Sequence, residues 1–269
     1  MLFISAADHK FYFFLPYMAA QIDRLFPKAR LIVYDLGLEE QEVLHLNSWG
    51  VEVRKWHVGP GESITSPNFY PRALHKPSMI LDALKSNPNE YAVYLDADAI
   101  PSRAFKMPPD FDVAVTLVNQ YDLSVLEMKP EIEYNGIFNT GVMLFGRSKR
   151  RLAFVEEWTD RLDKSDCLES DQRIASLLLQ EAEGFSRQEY NVTRTLKVRG
   201  EEVQIRILES EVWNIFALRS SFLMGKMRVH PDDVNVLHFK GHSMHNTFDF
   251  RNCMKMGQIH LETKGVPLC

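Results

Sequence analysis

The stretch Tyr91-Ala92-Val93-Tyr94-Leu95 runs straight into Asp96-Ala97-Asp98. An apolar, β-favouring run of this length reads as a strand buried on both faces, the kind found in the parallel part of an α/β sheet. Ionised aspartates are costly to bury unless a cation or hydrogen bonds compensate them. That cost is avoided if Asp96 and Asp98 stand at the strand's carboxyl end, where open α/β sheets bind ligands. Two carboxylates there can grip a divalent metal. They can equally cap backbone N–H groups in a plain turn, so the neighbours have to decide.

With 269 residues, 45% hydrophobic and 25% charged, the chain can bury a large core, and disorder is not expected. A net charge of −5 argues against nucleic acid as a general partner, because phosphate binding needs a basic surface. The cluster Lys149-Arg150-Arg151 reads as a solvated helix start. Cys167, Cys253 and Cys269 are widely spaced and form no CxxC pair, which suits reduced thiols better than a disulfide frame. Met1-Leu2-Phe3-Ile4 lacks the basic start of a signal peptide. No apolar run reaches the roughly 18–20 residues of a membrane span. The expectation is a cytoplasmic protein with no transmembrane segment, in which the sequon Asn191-Val192-Thr193 is a chance match.

Leu2–Ala7 reads as a first strand, followed by Asp8 and His9. Met18, Ile22 and Leu25 recur at helical spacing through Tyr17–Phe26. Leu31–Tyr34 is a second strand, Glu39–Trp49 a helix stopped by Gly50, and Val51–Trp56 a third strand. This β-α-β-α-β rhythm predicts a mostly parallel sheet. Gly59–Tyr70 reads as a loop. His75-Lys76-Pro77 starts the helix that precedes the central strand, with Pro77 in its first turn. No G-x-G-x-x-G and no G-x-x-x-x-G-K-[ST] occurs, which removes the usual support for a dinucleotide fold or a P-loop NTPase.

Val113–Val118 is another strand. In Gly136–Phe145, apolar runs flank a small polar centre, Asn139-Thr140-Gly141. A buried Asn139 needs partners for both ends of its amide, either other strands or the hydroxyls of a polyol such as a sugar. Lys149–Leu162 and Asp171–Ala182 should be helices, the second capped by Ser170, with Asp171-Gln172 on its first turn. Val203–Leu208 and Val234–Phe239 are late strands. The last runs into His238-Phe239-Lys240-Gly241-His242, followed by His245, which could supply a metal ligand and cations for phosphate.

Taken in order, Leu31–Leu38, Lys76, Leu95–Asp98, Phe138–Phe145, Asp171-Gln172 and His238–Gly241 resemble the metal-dependent GT-A glycosyltransferases. Within them the closest pattern is the family 8 group, with its DxD, N-x-G, D-Q and H-F-x-G elements. The resemblance implies one Rossmann-like α/β domain over residues 1–269, a mixed, mostly parallel sheet flanked by helices. Residues 1–100 would form the nucleotide-binding half and 101–269 the donor-sugar and acceptor half. It implies that Asp96, Asp98 and His238 hold Mn²⁺, with Mg²⁺ as a substitute, on a nucleotide-sugar donor. Ser5, Ala6, Ala7 and Asp8 would hold the nucleoside, and Ala97 would lie at the donor site between the aspartates. Lys76, Lys240 and Gly241 would contact the phosphates. Asn139, Asp171 and Gln172 would line the donor sugar, Asp171 and Gln172 nearest the chemistry.

The implied reaction moves a sugar, from UDP by expectation, to a glycan, lipid or protein acceptor with retention of configuration. Either the leaving phosphate would take the acceptor's proton, or Asp171 would serve as a nucleophile or base. This sequence departs from the pattern where His242-Ser243-Met244-His245 replaces the usual Lys-Pro-Trp tail. Acceptor contacts are expected from Gly59–Tyr70, Gln120–Tyr134, Thr193–Glu201 and the C-terminal tail. Two other readings compete. A haloacid-dehalogenase-like phosphatase also uses a strand-end DxD, but Ile100 stands where its motif wants Thr or Val, and the motif falls mid-chain. A non-catalytic nucleotide-sugar binder would have no need of a metal at the leaving group.

Overall fold

Alternation along the first strand sets the layering. Leu2 and Ile4 of β1 (Leu2–Ala7) enter one hydrophobic core, and Phe3 and Ala7 enter another on the opposite face. The computed structural model describes residues 1–56, 75–118, 136–165, 171–186, 189–216 and 234–238. A 3-10 turn (Tyr12–Phe14) leads into α1 (Leu15–Leu25), followed by β2 (Arg30–Asp35), α2 (Glu40–Ser48) and β3 (Glu52–Lys55). Next come α3 (Lys76–Ser86), β4 (Ala92–Leu95), β5 (Ala99–Pro101), β6 (Val113–Leu117) and β7 (Phe138–Phe145). The remainder is α4 (Arg150–Lys164), α5 (Asp171–Gln180), β8 (Val192–Val198), β9 (Glu201–Leu208), α6 (Ser210–Trp213), β10 (Ile215–Phe216) and β11 (Val236–His238).

The eight-stranded sheet has the order β3-β2-β1-β4-β7-β6-β9-β8. β3, β2, β1 and β4 are parallel, β7 runs antiparallel to both its neighbours, β9 is parallel to β6, and β8 is antiparallel to β9. This is the mixed, mostly parallel α/β architecture expected. Residues of α1 and α2 pack on one face; those of α3, α4 and α5 pack on the other. β4 is buried on both sides, with Val93 and Leu95 toward α1 and Ala92 and Tyr94 toward α3. The chain extends outward from β1 through β2 to β3, then returns to add β4 on β1's other side. The order therefore reverses between β1 and β4, and the carboxyl ends of those two strands flank a topological switch point, where open α/β sheets bind ligands.

Thr193–Glu201 corrects one expectation. It is no irregular acceptor loop; most of it is β8 and its hairpin turn onto β9, with Val198 paired to Glu201. The two turn residues, Arg199 and Gly200, both have positive φ (51° and 78°). That is the two-residue geometry whose twist suits a tight hairpin, and glycine adopts it without the steric cost a side chain brings. Gly59–Tyr70, Gln120–Tyr134, Ser170 and the C-terminal tail lie outside the described residues.

The basic cluster at the start of α4 is solvated only at Lys149 and Arg150; Arg151 is buried, contrary to the expectation, and clamps the approach to β4. Its guanidinium donates to the carbonyls of Glu90 (2.5 Å), Asn87 (3.0 Å), Pro88 (3.1 Å) and Gly146. Burial pulls its pKa below the ordinary arginine value. The fork of donors joins the start of α4 to the turn that delivers the central strand. Arg151→Met keeps the aliphatic bulk but leaves the buried Gly146 carbonyl without this donor and unties the Asn87–Glu90 turn, and should cost about 1–3 kcal/mol of stability. Urea denaturation would show this as a lower midpoint with an unchanged slope.

Candidate metal and nucleotide-sugar site

The Asn139-Thr140-Gly141 segment lies inside a single long strand, but the ladder there is broken. Against β6, Val115 pairs with Met143, whereas the next residue, Thr116, pairs with Asn139. Thr140, Gly141 and Val142 are thus extra on β7 and bulge from β6, while Val142 still pairs with Leu95 of β4. Bulges re-aim side chains, and they recur beside active sites. Here the bulge carries the Gly141 carbonyl to the Asp96 N–H (2.8 Å) and turns Thr140 toward α3 and α5.

A second, three-stranded sheet, β10-β11-β5, begins directly after the aspartates. Antiparallel pairing of β11 on β5 sets His238 opposite Ala99. The imidazole Nε2 consequently lies 3.2 Å from Asp98 Oδ1 and 4.0 Å from Asp96 Oδ2. One ligand atom from each of Asp96, Asp98 and His238 falls within 4.8 Å of the others. Asp98 and His238 are buried, and the Asp96 side chain keeps 30% of its surface exposed. Gly141 is what lets these groups meet. A β-carbon on it would stand 2.4 Å from His238 Cε1 and 2.8 Å from Asp96 Oδ2, closer than atoms can pack.

Behind Asp96 sits a buried cation. Lys76 Nζ is 3.0 Å from Asp96 Oδ1, 3.1 Å from Asp171 Oδ2 and 3.2 Å from Thr140 Oγ1, three oxygens for its three N–H bonds. Burial alone would lower the Lys76 pKa, but the charges of Asp171 and Asp96 outweigh it and hold the ammonium above the ordinary lysine range. Asp96 shows the converse. Burial works to raise it, yet Lys76, His238 and the Tyr94 hydroxyl (3.0 Å) together hold it below the usual carboxylate value. Lys76 occupies the first position of α3, where the helix dipole disfavours a cation; Asp171, at the first position of α5, is favoured. Thr140 Oγ1 bonds Asp171 Oδ2 (3.2 Å), and Trp158 Nε1–H bonds the Asp171 carbonyl (2.9 Å).

The fold therefore gathers Lys76, Asp96, Asp98, Asn139, Asp171 and His238 from distant parts of the chain. Gln172 is half-buried on the first turn of α5. Ala97 points into the core beside α1. At the end of β1, Ser5 is fully buried, and its hydroxyl has no hydrogen-bond partner among the described residues. Ala6 is half-buried and Ala7 joins the core. Asp8 Oδ1 accepts the Phe11 N–H (3.2 Å) in the turn that leads into the 3-10 segment. Lys240 and Gly241 lie outside the described residues.

The sequence alone does not single out Tyr94 and Asn214 as site residues, and it marks Thr140 only as part of the polar centre. Thr140 has a recognisable signal, a hydroxyl inside an apolar strand. Asn214 has none, because its partners are far away in sequence.

The donor set fits a divalent ion of borderline hardness: two carboxylates and one imidazole, with the lone pairs of all three converging. Without a cation, or a proton on Nε2, these lone pairs would repel one another.

No protein-family model matches the chain, and no curated protein matches it in sequence. Solved structures do match in fold. The galactosyltransferase LgtC, in complex with donor and acceptor sugar analogs, is 18% identical with a TM-score of 0.54, covering 100% of this chain and 98% of that one. The bifunctional glycosyltransferase WbbM is 14% identical with a TM-score of 0.52, covering 90% of this chain and 46% of that one. The apo form of the glycosyltransferase GlyE from Streptococcus pneumoniae TIGR4 is 13% identical with a TM-score of 0.52, covering 90% and 54%. The chain has the GT-A fold these glycosyltransferases share, and none of the three is a phosphatase. Among the described residues, no helix is long and apolar enough to cross a membrane.

Proposed function

We propose that the protein is a metal-dependent glycosyltransferase that moves a sugar from a nucleotide-diphosphate sugar, UDP being the expected nucleotide, to a glycan, lipid or protein acceptor. The observation that carries this reading is the convergence of Asp96, Asp98 and His238 at the carboxyl end of the central strand, within 4.8 Å of one another. In this reading these three residues hold Mn²⁺, with Mg²⁺ as a substitute. When bound, the ion supplies Lewis-acid stabilisation of the diphosphate as the sugar–phosphate bond breaks.

The chain's own residues divide the remaining work. Tyr94 and Lys76 fix one oxygen of Asp96 and leave Oδ2 toward His238. Ser5–Asp8, at the adjacent end of β1, would take the nucleoside. Asn139, Asp171 and Gln172 would face the donor sugar, and Lys240 and Gly241 the phosphates. Lys76 would reach a phosphate only by releasing one of its three oxygens, so in this reading it acts chiefly by fixing the two aspartates. Asp171 Oδ2 is already engaged by Lys76 and Thr140. That supports the retaining route in which the leaving phosphate, not Asp171, accepts the acceptor's proton. The placement of the DxD after the fourth strand of this sheet disfavours the phosphatase alternative.

The test is release of nucleotide from a panel of UDP-, GDP- and CMP-sugars, with Mn²⁺ and with a chelator. One nucleotide family should be turned over with Mn²⁺ and left intact under chelation. Turnover that survives complete metal removal would contradict the reading.

A further inference from the structure

Hydrogen-bond directions in the site can be traced from one group whose role is unambiguous. The Gly141 backbone N–H can only donate, and it donates to Asn139 Oδ1 (2.8 Å). The atom of Asn214 that lies 2.7 Å from the same Asn139 oxygen must then be its amide nitrogen, which also donates to Thr116 Oγ1 (2.9 Å). Asn214 is therefore oriented with its oxygen toward His238 Nδ1 (3.0 Å). An amide oxygen only accepts, so Nδ1 carries the proton. In the neutral ring the lone pair then sits on Nε2, the atom facing Asp96 and Asp98. Asn139, Thr116, Asn214, His238 and Asp98 are all buried, and Asp96 is partly exposed.

We propose that Asn214 is the positioning residue of the metal site, a residue that selects the metal-binding tautomer of His238 and fixes the plane of its ring. The inference rests on the metal reading above. Asn214 is the C-cap of α6, whose backbone N–H bonds the Ser210 carbonyl (2.9 Å). Ser210 Oγ in turn bonds the Leu117 carbonyl (2.6 Å) of β6. The amide is thus held by its own helix as well as by the bulged strand. Partners of this kind behind a metal-bound histidine raise metal affinity by restricting the ligand before the ion arrives.

Two substitutions separate this role from a merely structural one. Asn214→Ala removes the acceptor for Nδ1–H together with both donations. Asn214→Asp keeps an acceptor oxygen for Nδ1–H while losing the donations to Asn139 and Thr116. Mn²⁺ affinity would be read from the free-Mn²⁺ electron paramagnetic resonance signal, with no substrate present. The expected loss for Asn214→Ala is about 10–100-fold, with Asn214→Asp retaining most of the affinity. A folded Asn214→Ala protein that binds Mn²⁺ like the wild type would overturn the assignment, as would equal losses in both variants.

Should Asn214→Ala not fold, long-range ¹H–¹⁵N spectra of the metal-free wild-type protein decide instead, at a pH where His238 is neutral. An Nδ1–H tautomer supports the assignment and an Nε2–H tautomer overturns it. That spectrum keeps its force even if the wild type binds no Mn²⁺, an outcome that would instead refute the metal reading.

Discussion

Gly141→Ala should lower metal-dependent turnover by about a hundredfold or more, the cost of misplacing reactive groups by roughly an ångström. The added β-carbon would lie 2.4 Å from His238 Cε1 and 2.8 Å from Asp96 Oδ2. Neither neighbour can retreat easily. The His238 ring is tied to Asn214, and β11 is held in register against β5. Asp96 is tied through its other oxygen to Lys76 and Tyr94. The backbone cannot yield freely either, because the Gly141 N–H and C=O are bonded to Asn139 and Asp96. The methyl must therefore push apart the Asp96 carboxylate and the His238 imidazole, which share an ion under the proposed function. Steady-state turnover at saturating Mn²⁺, beside a circular dichroism melt, would separate loss of the site from loss of the fold. Wild-type turnover in this variant would mean that the close approach of Gly141 has no functional consequence.

Lys76→Met should destabilise the metal-free protein by about 3–5 kcal/mol, the usual cost of removing one partner of a buried ion pair. The Lys76–Asp171 pair is buried on both sides, with side-chain exposures of 9% and 6%. Without the ammonium, Asp171 keeps only the Thr140 hydroxyl as a side-chain donor among the described residues, and Asp96 only Tyr94. Added Mn²⁺ should restore part of the loss by neutralising Asp96. The pH dependence has a defined sign. Asp96 is depressed in the folded protein, so its share of the stability is present above its ordinary value of 3.8 and disappears as pH falls through the depressed one. The gap between wild type and Lys76→Met should accordingly narrow in acid. Urea titrations at several pH values would measure it, and a gap that widens in acid would contradict this account of the cluster.

Much of this architecture is legible in the amino-acid sequence because its signals are local. The apolar run Ala92–Leu95 is buried on both faces as its composition implies, and the β-α-β-α-β rhythm lays down the parallel half of the sheet. The polar centre Asn139-Thr140-Gly141 marks a disturbance in a buried strand, which proves to be the bulge against β6. His238 is visible as part of a histidine cluster at a strand's end.

What stays hidden depends on contacts between segments far apart in sequence. Nothing near Asn214 announces a partner 24 residues later in the chain and another 75 residues earlier. Ala99-Ile100-Pro101 is too short to read as a strand, yet it carries the register that brings His238 to Asp98. The hairpin of β8 and β9 is obscured by Arg194, Lys197 and Arg199, whose charges suggest a solvated loop. Its outward faces are polar, and only Leu196 and Val198 of β8 are buried in the core.

The most direct test of the central claim is the thermal stability of wild type and Asp98→Ala with UDP, GDP or CMP, each with and without Mn²⁺. A ligand present at about 100 times its Kd adds roughly 2.7 kcal/mol to the folded state, which is readily seen as a rise in Tm. The account predicts a rise with one nucleotide, UDP by expectation, that requires Mn²⁺ and is absent in Asp98→Ala. No rise with any nucleotide, or an equal rise in Asp98→Ala, would contradict it.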